Sequence, residues 1–191
     1  MVALLRTGVE TLPGGPGPEV DSAMMDAILR DLQQPEYLHV LLNPIPLYGL
    51  AIALFGLIAA TYLRSRGGQL TALILVFACA ISAWPVARHG EEAYDRVLAM
   101  ADDDGQAWLK AHEHRADKLI YFYYALALVS ALAIFAPTKW PGTRQTFVFT
   151  TILLAVVSLG AGTYIAYAGG KIRHREFRTE PPPKTPESES R

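Results

Sequence analysis

Apolar and polar positions alternate in blocks along this chain. Four stretches are nearly free of charge: Val40–Leu63, Leu70–Ala87, Leu119–Ala136 and Phe147–Ala168. Each is about 18 to 24 residues long, close to the ~20 a helix needs to cross ~30 Å of hydrocarbon. A water-soluble helix needs a polar face, and these stretches have none. The pattern therefore predicts an all-α protein, a four-helix transmembrane bundle with up-down-up-down topology. The lipid bilayer is its first partner.

The loops between the runs are unequal. Gly67 and Gly68 make Arg64–Gln69 a tight turn, and Pro137 and Pro141 are expected to stop helices around Thr138–Thr146. The segment 88–118 is much longer and predicts a helical extramembrane insert of two short helices. The first is Glu91–Ala101, with Tyr94, Val97, Leu98 and Ala101 at helical spacing. Asp102–Asp104 and Gly105 break it and cap the second, which starts at Gln106 and runs into the third span. The membrane domain is thus expected over 36–177. Residues 1–35 read as a tail whose first 20 residues are loose, followed by an amphipathic helix over Ser22–Gln34. Residues 178–191 read as a disordered tail.

Composition adds to this picture mainly through segregation. All 18 acidic residues fall on one side of the four runs, and the two small loops on the other hold Arg64, Arg66, Lys139 and Arg144. The faces carry about +4 and −5. The positive-inside rule then puts the small basic loops in the cytoplasm of a bacterial inner membrane and the opposite face in the periplasm. The runs hold no Asp, Glu, Lys, Arg or His, which argues against ion-coupled transport by this chain alone. Cys79 is the single cysteine and reads as a buried small hydrophobe. Gly162, Ala166 and Gly170 recur every fourth residue, a spacing for close helix packing. The sequence shows no internal repeat, phosphate-binding glycine loop, nucleic-acid motif, nucleophile or calcium loop. An enzyme acting on its own is not expected.

The chemistry that remains is histidine. All five lie on the acidic side, at or just beyond an end of a run. His39 precedes Pro44 and Pro46, which disturb the first turns of span one. His89 follows the proline-containing exit of span two, Trp84-Pro85. His112 shares a stripe with Trp108 and Ala116. His114 is about 200° away around that helix and is expected in solvent with Lys110 and Lys118. His174 follows Gly169-Gly170, and Arg173 and Arg175 beside it suit haem propionates. Histidines at one end of a bundle can ligate haem iron axially. His39, His89, His112 and His174 are thus candidate ligands for haem b in an electron-transfer subunit with a redox partner, and their pairing stays open. Copper or zinc on the same residues is a variant. A structural or assembly subunit of a membrane complex, with interfacial histidines and no cofactor, is the other reading.

Leu38-His39 to Pro46, His89-Gly90, the His112 region and Gly169-Gly170 to His174 together resemble a family of four-span bacterial membrane proteins known as a domain of unknown function. The similarity runs from about Tyr37 to Phe177. Family members open with His-Pro followed by a second histidine and a proline. Here Val40 and Pro44 replace the first proline and the second histidine. Some members carry cytochrome c-like domains, so the resemblance implies an extracytoplasmic redox setting. It implies no activity.

Overall fold

A computed structural model describes residues 18–183. Of the expected loose stretch 1–20 and the expected disordered tail 178–191, the residues up to 17 and from 184 onward lie outside them. The described residues are helical almost throughout, with no strand among them. Four helical segments are long and apolar enough to cross a membrane: Pro35–Tyr62, Arg66–Met100, Asp103–Lys139 and Pro141–Arg173. The architecture is the expected four-helix bundle, compatible with an integral membrane protein.

Helix α1 (Pro18–Asp31) begins before the expected Ser22 and stops before Gln34. Its apolar residues Met25, Ile28 and Leu29 remain exposed. Span one is helix α2 (Pro35–Leu42), a π turn (Ile45–Gly49) and helix α3 (Leu50–Tyr62). The prolines cause the change of register. Pro46 has no N–H for an ordinary helical bond, and the widened turn closes instead from the Leu50 amide to the Ile45 carbonyl. Span two is helix α4 (Arg66–Ile81) and helix α5 (Ala83–Met100), interrupted at Ser82. Pro85 again removes a donor, and the Ser82 hydroxyl donates to the Cys79 carbonyl at 2.7 Å.

The separate helix expected over Glu91–Ala101 is instead the continuation of α5, with no break between Ala83 and Met100. Beyond the membrane run this helix becomes amphipathic and packs Tyr94, Val97 and Leu98 against Trp108, Leu109 and Ile172. That apolar contact carries it past Gly90. Helix α6 (Asp103–Lys139) is continuous through the third span and starts, as the sequence indicates, at an Asp102 cap that accepts from the Gly105 amide at 2.9 Å. It runs two residues past Pro137, whose missing N–H falls in its last turn. Helix α7 (Arg144–Arg173) is the fourth span.

Consecutive spans pack as neighbours, and α3 against α7 closes the ring. The interior is built from Leu50, Leu57, Val76, Leu126 and Val148 with many alanines between them. Small residues bring α6 and α7 close: Ser158 donates to the Phe122 carbonyl across the pair at 3.2 Å. Ile52, Phe55, Leu128, Phe135, Phe149 and Leu153 face outward and are more than half exposed. An apolar exterior over an interior of small residues is the inverse of a soluble bundle and suits lipid as solvent.

Candidate functional site

Two of the four candidate histidines come together. His39 on α2 and His112 on α6 stand with ring centroids 6.1 Å apart and planes at 86°. Both are half-buried. Each ring is held from behind in the same way. His39 Nδ1 donates to the Val86 carbonyl at 2.8 Å, and His112 Nδ1 donates to the Ile165 carbonyl at 3.0 Å. A carbonyl only accepts, so each Nδ1 carries the proton and the neutral ring keeps a lone pair on Nε2. Metal-ligating histidines are commonly oriented in this manner by a carbonyl behind the ring.

Carbonyls in a helix interior are available as second acceptors because a carbonyl oxygen has two lone pairs. The rings reach them because the helix facing each ring carries a glycine one turn further on. A Cβ at Gly90 would lie 2.9 Å from His39 Nδ1, and one at Gly169 would lie 3.0 Å from His112 Nδ1. Val86 and Gly90, like Ile165 and Gly169, are four residues apart and share a helix face. The chain thus uses one device twice: a histidine on the first helix of a hairpin, and a β-branched residue, Ala, two others and Gly on the second. Val86-Ala87-Arg88-His89-Gly90 and Ile165-Ala166-Tyr167-Ala168-Gly169 are the two copies. This short repeat was not apparent in the sequence, where only its histidine partners stood out. Of the expected packing stripe, Gly162 lies against Tyr123 and Leu47, and Gly170 is open.

At this end of the bundle α2 packs on α5 and α6 on α7. The space between the two hairpins is a cavity of about 870 Å³ whose walls include both histidines. Its lining mixes apolar residues, among them Ala87, Ala116, Ile120 and Ala166, with charged ones, Asp31, Glu36, Glu91, Arg96, Glu113, Asp117 and Arg173. A smaller cavity of about 80 Å³, reaching Tyr123 and Gly162, shares the two histidines. The larger volume is within the range of cofactor sites.

The remaining histidines lie elsewhere. His89 is 3.3 Å from Glu92 Oε2. His174 is exposed, 2.8 Å from Glu176 Oε1 and stacked on Phe177 at 4.9 Å. His114 is exposed. Neither His89 nor His174 lines either cavity. Arg175 joins Arg178 in an ion-pair cluster on Asp102, at 2.8 and 2.9 Å. The Arg178 guanidinium holds the Asp102 carboxyl down at about 2, with the Gly105 amide adding to the effect and desolvation opposing it. Arg178 also donates to the Lys171 and Ile172 carbonyls at 2.7 Å, tying the chain after α7 to the start of α6.

Among the described residues, no group of three or more His, Cys, Asp or Glu side chains is placed to hold a metal ion. A zinc site needs three or four protein ligands. Haem iron needs one or two, because the porphyrin supplies the other four nitrogens. Two imidazoles are thus too few ligands for a zinc site on their own, and enough to hold a haem iron. No family model, no curated protein and no solved structure matches this chain.

Proposed function

We propose that the chain is a membrane-embedded b-type haem protein, with His39 and His112 as axial ligands, that passes electrons near one face of the bilayer. The observation that carries this reading is the close pair of imidazoles, 6.1 Å between centroids, each with Nδ1 held on a backbone carbonyl. The adjoining cavity supplies a space between two hairpins for a flat ligand. With both histidines bound, a haem iron would have no open position, which would favour electron transfer over oxygen chemistry. Of the four candidate histidines, His89 and His174 are left out of the ligand pair and serve at the surface. The basic loops with Arg64, Arg66, Lys139 and Arg144 favour the cytoplasm, so in this reading the haem would lie toward the periplasmic side of an inner membrane. That setting agrees with the one implied by the resemblance to the four-span family. A redox protein approaching this end of the bundle is the partner this reading calls for.

The test is the absorption spectrum of protein purified in detergent after expression with adequate haem, before and after dithionite. A Soret band with sharp α and β bands on reduction, lost in His39→Ala and in His112→Ala and kept in His89→Ala and His174→Ala, is the expected result. A featureless spectrum from folded protein that also fails to bind added haemin would overturn the reading and leave a structural membrane subunit.

A further inference from the structure

Resting on the haem reading, we infer that Arg173 is the docking residue for a carboxylate of the porphyrin and so sets which edge of the cofactor faces outward. The cavity lining mixes Ala116, Ile120 and Ala166 with the carboxylates of Asp31, Glu36, Glu91, Glu113 and Asp117. Each of these carboxylates would repel the dicarboxylate edge of a porphyrin, so that edge needs a cation within the same lining. Two guanidinium groups line the same cavity. Arg96 is engaged, 2.8 Å from Glu36 Oε1 and 2.6 Å from Gln34 Oε1. Arg173 has no carboxylate partner among the described residues, and its hydrogen-bond contact is Met100 Sδ at 3.6 Å. A thioether is a weak acceptor.

Position agrees with this role. Arg173 is one helical turn beyond Gly169, the residue against the His112 ring, and so about 6 Å further out along α7. The sequence offered Arg173 and Arg175 equally. The fold separates them, because Arg175 is bound to Asp102 at 2.8 Å. Planar guanidinium-to-carboxylate pairing is the chemistry Arg173 has to offer.

The experiment titrates haem-free full-length protein in detergent with haemin and with haemin dimethyl ester, whose carboxylates are masked. Wild type, Arg173→Gln, Arg173→Lys and Arg175→Gln are compared, with helical content measured for each. Wild type is expected to bind haemin about tenfold more tightly than the diester, the value of one exposed charge-assisted bond. Arg173→Gln should lose that preference by weakening haemin alone, Arg173→Lys should keep part of it, and Arg175→Gln should keep all of it. Both porphyrins binding equally to wild type, or an unchanged preference in Arg173→Gln, would overturn the inference while leaving the haem reading intact. Binding of neither porphyrin to wild type would end both.

Discussion

His39 and His112 are 73 positions apart in sequence and 6.1 Å apart between ring centroids, with planes at 86°, each pinned by a carbonyl on the second helix of its own hairpin. On the haem reading, removing one of these histidines would leave the other to hold the iron. Replacing His39 with Gly should abolish the six-coordinate spectrum without unfolding the bundle, and added imidazole should restore it. Recovery of the α band on imidazole titration is the measurement. An unaltered spectrum in His39→Gln would mean that His39 is not a ligand.

The two glycines behind the rings are gauges of ring position. Gly90→Ala and Gly169→Ala would each place a methyl group 2.9–3.0 Å from imidazole atoms. The ring must move, at a cost of about 1–3 kcal/mol if the site stays tightly packed. Haemin affinity should fall by about tenfold or more. Gly160→Ala, where nothing lies within 4 Å of the added carbon, is the matched control and should be neutral.

Asp102 provides a pH signature outside the membrane. Its folded carboxyl titrates at about 2, against about 3.9 in an unfolded chain. A depressed folded value means a contribution that is complete above the unfolded value and is lost as pH falls from about 4 toward 2. The melting temperature in detergent should decline over that window in wild type and decline less in Asp102→Asn. At neutral pH Asp102→Asn should melt a few degrees lower, because it removes the ion pairs with Arg175 and Arg178 while Asn still caps α6.

Ser158 tests the packing of α6 on α7. Its buried hydroxyl donates to the Phe122 carbonyl. Interhelical bonds of this kind average about 0.6 kcal/mol in membranes, so Ser158→Ala should be nearly silent. Ser158→Leu must push the helices apart and should lower the melting temperature clearly. Equal effects from the two would show that the pair is not closely packed there.

Membrane orientation can be read by thiol labelling. In a Cys79→Ser background, Gly142→Cys places a thiol in the small loop, where nothing lies within 4 Å of its Cβ. The proposed orientation expects labelling only after the inner membrane is permeabilised. Labelling of intact cells at the same rate would reverse the orientation and put the histidine end in the cytoplasm.

Much of this architecture is set by the sequence alone. Charge-free runs of membrane-spanning length specify four helices whatever their partners, because unsatisfied backbone in hydrocarbon is too costly. Alternation of direction then brings His39, His112 and the other histidines to one end. Asp102 is legible as a cap for the same local reason: its side chain serves an amide three residues away. Helix continuity was less legible. Gly90 and Pro137 look like breaks in one dimension, yet one sits in a packed contact and the other in a last turn. The choice of His39 with His112 belongs to the tertiary structure. It depends on which hairpin face turns inward and on two glycines, 79 positions apart, that let rings approach helix backbones. Nothing in a run of apolar residues marks such a glycine, because its function is the absence of a side chain where a distant one must fit.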